Sequence, residues 1–169
     1  ISFFEKHNDI NGVIHFAASK AVGESVENPL LYYENNINTL VYVLQQLQNK
    51  EDASFIFSSS CTVYGQAEKM PITEDAPVQM AMSPYGNTKQ IGEEIIKEVA
   101  KVSNIKSILL RYFNPIGSHP TAEIGELPIG VPQNLVPFIT QTGMGLRKEL
   151  SVYGNDYPTV DGTCVRDYI

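Results

Sequence analysis

Apolar residues in this chain fall into short runs separated by longer stretches with a helical beat. The run "GVIHFAA", Gly12–Ala18, follows a turn signal at Asn11-Gly12 and predicts a strand. From Pro29, "PLLYYENNINTLVYVLQQLQNK" sets Leu30, Tyr33, Ile37, Leu40, Leu44 and Leu47 on one helical face. Leu31, Val41, Tyr42 and Val43 add apolar surface outside that face. That pattern predicts a helix buried on two sides, by a sheet and by a partner helix or subunit. A second strand is predicted over "SFIFSSS", Ser54–Ser60, whose end turns abruptly polar. Beyond a loop with Gly65, Pro71 and Pro77, a second helix opens at "SPYGNTKQ" and carries Ile91, Ile95, Val99 and Val102 on one face. "IKSILLRYF", Ile105–Phe113, predicts the third strand. A loop rich in Pro and Gly over 115–132 then leads to a short helix around Asn134–Thr142, and "LSVYG" predicts a last short strand.

Strands alternating with helices predict an α/β fold, a parallel sheet covered on both faces. In such sheets ligands bind beyond the carboxyl ends of the strands. Three stretches are therefore singled out: Ala17–Lys20, Ser58–Thr62 and Tyr112–Asn114. No G-x-G-x-x-G phosphate cradle occurs in the chain. If the fold binds a dinucleotide, that cradle is expected before residue 1. The opening "ISFFEKHNDI" reads as the end of a helix, and the chain as a segment cut at both ends.

Composition changes the picture mainly by exclusion. The 169 residues are enough for one real core, and at 43% hydrophobic and 18% charged they are ordinary for a globular protein. A formal net charge of −7 with scattered Lys and Arg excludes a basic stripe for nucleic acid. No apolar run approaches the length of a membrane span, and no signal-peptide pattern is present. Cys61 and Cys164 lie far apart and read as reduced, hence cytoplasmic. His7, His15 and His119 show no metal-ligand spacing, so no metal is expected.

The candidate chemistry begins with Tyr85 and Lys89, four residues apart. Ser83 is a good N-cap and Pro84 suits the first helical position, so Tyr85 falls in the first turn with Lys89 one turn later on the same face. A phenol near pKa 10 is too weakly acidic to act as a base at neutral pH. A nearby ammonium and a helix N-terminus both favour the phenolate, so this spacing is a way to build a tyrosine base. The same spacing also arises readily by chance in a chain with 9 tyrosines. The serine run supplies a second feature: alternation sends Ser58 and Ser60 to one side of a strand end, where a hydroxyl can relay a proton. Asn114, extended by Pro115, can grip a sugar hydroxyl or phosphate oxygen, or simply start a turn.

Ser60, Tyr85 and Lys89, in that order, resemble the Ser/Thr-Tyr-Lys triad of the extended short-chain dehydrogenases/reductases. "VIHFAASKAVGES", "FIFSSSCTVYG", "SPYGNTK", "LLRYFNPIGSHP" and "VYGNDYPTVDGTCVRDYI" are similar to the UDP-glucose 4-epimerase branch of that family over essentially the whole chain. The resemblance implies a Rossmann-like doubly wound parallel sheet, partial here, with residues 1–115 belonging to the NAD-binding domain. Residues 116–169 would begin a smaller C-terminal substrate domain. It also implies NAD as cofactor, a UDP-sugar as substrate and inversion of C4 through a 4-keto sugar. Tyr85 would be the general base, and Lys89 would bind the nicotinamide ribose and depress the Tyr85 pKa. Ser60 would bridge the 4-oxygen and Tyr85. Phe16, Ala17, Ala18, Lys20, Asn35, Ser58 and Phe113 would join Tyr85 and Lys89 on the cofactor side. Ala18 and Ser19 stand where members often have Gly and Leu. Lys20, Ser60, Tyr85, Asn114, Asn134, Leu135, Val152, Tyr153 and Arg166 would contact substrate. A homodimer pairing helices 29–49 and 84–103 is implied as well. A dehydratase of the same scaffold would carry Asp-Glu after its active-site Thr, where this chain has Cys61-Thr62, whereas a decarboxylase or glucuronate epimerase of the same superfamily stays an open alternative. A non-catalytic binder of NAD or nucleotide sugar would have no use for a tuned tyrosine. The segment alone, lacking the glycine cradle, is expected not to epimerise.

Overall fold

The computed structural model describes residues 2–169. The elements run α1 (Ser2–Lys6), β1 (Gly12–His15), α2 (Val22–Glu27), α3 (Pro29–Leu47) and β2 (Ser54–Ser58). A 3₁₀ turn (Cys61–Tyr64), α4 (Pro84–Val102), β3 (Lys106–Leu110) and α5 (Leu135–Gly143) follow. The chain divides into two compact units at Tyr112/Phe113.

In the first unit β1, β2 and β3 form a parallel sheet in that order, with Ile14, Ile56 and Ile108 in register. Successive strands thus advance in one direction across the sheet. Right-handed crossovers then place both connecting helices on the same face. The core on that face joins Leu40, Leu44 and Leu47 of α3 to Phe55 and Phe57 of β2 and Ile96 of α4. Only one of the two expected helical layers is present among the described residues. On the other face Ile14 is 60% and Ile108 56% exposed.

The helical faces differ from the apolar stripes read from the sequence. In α3 the buried positions are Tyr32, Asn36, Leu40, Leu44 and Leu47, whereas Leu30 is exposed and Tyr33 and Ile37 are half-buried. The first two turns point polar groups inward because those groups have partners there. The Tyr32 hydroxyl donates to Glu24 Oε2 at 2.5 Å and accepts from the Ala21 N–H at 3.1 Å. In α4 the buried face is Gly86, Thr88, Lys89, Gly92, Glu93 and Ile96, while Val102 is exposed. Gly92 permits this rotation, since a Cβ there would stand 2.8 Å from Phe57 Cζ. The helix lies against the ring itself, with Lys89 and Glu93 directed toward the strand ends.

All three strands stop earlier than their apolar runs. β2 ends at Ser58 because the Ser59 N–H turns back to the Phe57 carbonyl at 2.9 Å, and Ser60 caps the 3₁₀ turn. β1 ends at His15 and β3 at Leu110. The short helix α2 was not marked by any periodicity.

In the second unit, α5 follows Asn134, and Asn114 forms a parallel bridge with Tyr168. The strand predicted at "LSVYG" is absent. Alternation alone does not make a strand, since the backbone also needs a hydrogen-bonded neighbour. Among the described residues nothing pairs with that segment, and Val152 and Tyr153 lie exposed.

Candidate active site

Local sequence positions the Tyr85 helix as expected. Ser83 is extended, at φ −154° and ψ 157°, and its Oγ accepts the Gly86 N–H at 3.1 Å. Pro84 occupies the first turn. The next turn brings Lys89 beneath Tyr85, with Nζ 5.6 Å from the Tyr85 ring centroid and 5.0 Å from that of Phe57. Nζ donates to the Ser58 carbonyl at 2.7 Å. Lys89 is only 4% exposed, a rare burial for an ammonium. Burial lowers its pKa to about 8.

Ser60 meets Tyr85 from the other side. The Ser60 Oγ accepts the Thr62 N–H at 3.2 Å, which fixes the side chain, and the hydroxyl acts on the Tyr85 phenol by lowering its pKa. The expected depression of Tyr85 by Lys89 does not occur on the protein's own groups. Burial raises the phenol above its ordinary value, the Ser60 hydroxyl offsets part of this, and Cys61 adds to the rise. The Lys89 ammonium lies over the ring and spends a hydrogen bond on Ser58. The structure therefore brings Ser58, Ser60, Tyr85 and Lys89 together at the end of β2.

The loop after β1 is held by α3. Asn36, buried and not singled out by sequence, accepts the Ser19 N–H at 2.8 Å and donates to the Ser19 carbonyl at 3.0 Å. Its amide also donates to Thr88 Oγ1 at 3.1 Å, tying the loop to α4. Asn35 donates to Ser19 Oγ at 3.0 Å. Phe16, Ala17 and Lys20 are exposed on this pinned loop, and Ala18 is half-buried. His15, at the end of β1, is buried against Phe55 and Phe57. Burial, and then the Lys89 charge, hold its pKa below the ordinary value.

Two further polar residues, Glu93 and Arg111, escaped the sequence reading; they bond to each other, and Glu93 joins Ser59 of the serine run. Burial acts to raise Glu93, but hydrogen bonds from Arg111 and Ser59 with the charges of Arg111 and Lys97 carry it below the usual carboxylate range. Arg111 is raised, chiefly by its hydrogen bonds to Glu93. Two signals were available: an arginine inside the apolar run "ILLRYF", and a glutamate one turn beyond Lys89.

The remaining candidates lie in the second unit. Phe113 is half-buried, and Asn114 donates its amide to the Asp167 carbonyl at 2.7 Å. Asn134 precedes α5 without a side-chain cap bond and donates to Glu126 Oε1 at 2.7 Å. Leu135, Val152 and Tyr153 are exposed, and Arg166 donates to the neighbouring Val165 carbonyl at 2.7 Å. No group of metal-binding residues occurs among the described residues. No helix among them is long and apolar enough to cross a membrane.

Known proteins resemble this chain along nearly its full length. It is 53% identical over 160 residues to UDP-glucose 4-epimerase 2 of Arabidopsis thaliana, covering 94% of this chain and 45% of that protein. With UDP-glucose 4-epimerase of Bacillus subtilis (strain 168) it shares 51% identity over 163 residues, 96% of this chain and 48% of the relative. Among solved structures, UDP-glucose 4-epimerase from Bifidobacterium longum in complex with NAD+ and UDP superposes with a TM-score of 0.92 at 45% identity. That match covers 98% of this chain and 50% of the other. The chain thus spans about half the length of the curated relatives it matches. The family model described as GDP-mannose 4,6 dehydratase matches residues 2–169, and with this Tyr-Lys helix and parallel sheet the chain belongs to that family of extended short-chain dehydrogenases/reductases.

Proposed function

We propose that the intact protein carrying this chain interconverts UDP-glucose and UDP-galactose with bound NAD. The observation that carries this reading is the convergence of Ser60, Tyr85 and a buried Lys89 at the carboxyl end of β2. The epimerases named above supply the substrate class.

The residues fit a nicotinamide cofactor. An ammonium has three donors, and the Lys89 hydrogen bond to Ser58 leaves others for ribose hydroxyls. Phe16, Ala17, Ala18 and Lys20 lie beyond the end of β1, where an α/β sheet offers its ligand crevice. Asn35 and Ser58 border the same strand ends, and Phe113 is assigned to the cofactor as well. Bound NAD supplies reversible hydride exchange at C4 and, when oxidised, a positive charge, so C4 inverts through a 4-keto sugar with no net redox change.

The chain's own groups handle the proton. Tyr85, as phenolate, takes the proton of the sugar 4-hydroxyl and later returns it. Ser60 donates to the phenolate and bridges it to the sugar 4-oxygen. Burial raises the phenol and Ser60 lowers it in part, and the positive charge of oxidised NAD would favour the phenolate further. Asn114, Asn134, Leu135, Val152, Tyr153 and Arg166 are assigned to the UDP-sugar. The fork of a guanidinium such as Arg166 suits a diphosphate.

Two finer assignments accompany this. A homodimer through α3 and α4 is supported by Leu30, Leu31 and Tyr42, exposed on α3. A cytoplasmic setting rests on the composition, two cysteines far apart in the sequence that read as reduced thiols. The deciding experiment assays the intact protein and its Tyr85→Phe variant on UDP-galactose, with bound nicotinamide measured. Loss of turnover with cofactor retained is expected, and near-parental turnover of the variant would refute the base assignment.

A further inference from the structure

Ser59, Glu93 and Arg111 have no part in the roles assigned above, yet they are the most heavily bonded polar group near the site. Ser59 is 3% and Glu93 2% exposed. Ser59 Oγ donates to Glu93 Oε1 at 2.6 Å. Arg111 grips the same carboxylate as a fork, Nε to Oε1 at 2.8 Å and Nη2 to Oε2 at 2.6 Å. Lys97 Nζ adds a bond to Oε2 at 3.3 Å, and the guanidinium lies 4.7 Å over the Tyr64 ring.

A buried ion pair is a poor source of net stability, because desolvation consumes most of its attraction. Its geometry here gives it another use. Ser59 stands between Ser58, whose carbonyl receives the Lys89 ammonium, and Ser60, whose hydroxyl meets Tyr85. Glu93 lies one turn beyond Lys89 on the same buried face of α4. Arg111 follows β3, and the carbonyl of the next residue, Tyr112, accepts the Cys61 N–H at 2.7 Å. One carboxylate therefore ties the exit of β2, the middle of α4 and the exit of β3.

We infer that Ser59, Glu93 and Arg111 form a positioning clamp that holds Ser58 and Ser60 in register with Lys89 and Tyr85 and so sets the geometry of proton transfer. This rests on the proposed role of Tyr85 as base. The clamp touches neither reacting atom. It acts on where the backbone leaves β2, since a drift at residue 59 moves the Ser58 carbonyl and the Ser60 hydroxyl together. The groups facing Tyr85 are Ser60 and Cys61 from the 3₁₀ segment, Lys89 from its own helix and Tyr32 from α3.

The test uses the intact protein. Ser59→Ala removes one hydroxyl and leaves Glu93 paired with Arg111 and Lys97, so the fold is retained. Turnover should fall about tenfold with KM little changed, as a small misplacement of reacting groups does. The acid limb of kcat/KM should move to higher pH, because a displaced Ser60 no longer lowers the phenol. Ser59→Thr should restore both. Arg111→Lys keeps the charge but not the fork and should move the limb the same way. Parental kcat and an unmoved limb in Ser59→Ala and Arg111→Lys would overturn the clamp. Activity lost only in step with folded protein, with the limb unmoved, would also overturn it. If Tyr85→Phe is inert while the Ser59→Ala limb stays in place, the clamp alone fails. Parental turnover in Tyr85→Phe would instead remove the base assignment beneath it.

Discussion

Leu40, Leu47 and Phe55 in the first unit are sealed from solvent, whereas Leu127, Ile129 and Val160 in the second are almost wholly exposed. The first unit is a sheet against two long helices, each element touching several others through residues far apart in sequence. Within the second, one nine-residue helix and an isolated bridge organise the chain. The contrast separates two kinds of site residue. Those assigned to proton transfer sit on a framework that this stretch of chain builds for itself. Most of those assigned to the UDP-sugar sit where side chains have few partners among the described residues. Chemistry and substrate choice are therefore expected to respond differently to mutation.

The largest effect is expected at the framework's functional end. Tyr85→Phe in the intact protein should lower kcat by roughly 10²–10⁴, the usual worth of a positioned acid/base, with cofactor still bound. Arg166→Ala should instead raise the KM for UDP-galactose with kcat nearly kept. Steady-state kinetics on the pair tests the division directly, and a kcat loss in Arg166→Ala as large as in Tyr85→Phe would break it.

Next is the core. Phe55→Ala empties a fully buried ring site and should cost about 3–5 kcal/mol of unfolding free energy. Val160→Ala, at a fully exposed position, should stay within about 0.5 kcal/mol. Denaturant titration compares them, and equal losses would show that the two units are not built differently.

A smaller effect is expected where α4 meets β2. Gly92→Ala forces a methyl to 2.8 Å from Phe57 Cζ and should cost about 1–3 kcal/mol as overpacking. Because Lys89 lies one turn away, turnover of the folded fraction should fall too. A fully active, stable Gly92→Ala protein would show that the close approach is not needed.

The smallest effect concerns pH. His15 has a folded pKa below its ordinary 6.5, from burial first and the Lys89 charge second. Between 6.5 and that lower value the unfolded chain holds a proton that the folded chain refuses. Stability should therefore decline as pH falls below about 6.5 and level off beneath the folded pKa. His15→Phe should flatten this slope, as measured by melting temperature across pH. An unchanged slope would assign the acid sensitivity elsewhere.

What the sequence by itself determined was local. The N-cap at Ser83, the proline at 84 and the four-residue spacing of Tyr85 and Lys89 follow from nearest-neighbour geometry, and the helix forms accordingly. The parallel direction of the three strands also followed from alternating elements. Tertiary structure decided which face of each helix is buried. The stripe Ile91, Ile95, Val99, Val102 predicted one face of α4, but Lys89 and Glu93 turned inward because Ser58, Ser59 and Arg111 wait there with hydrogen bonds. A polar side chain counts as outward in any periodicity reading until its partner is known, and those partners come from strands tens of residues away. The same limit hid Asn36, Glu93 and Arg111, and it made "LSVYG" read as a strand with no neighbour to pair with. Tyr85 shows both halves: its place in the first turn was set by local sequence, and its raised pKa by the burial that only the assembled sheet and helices impose.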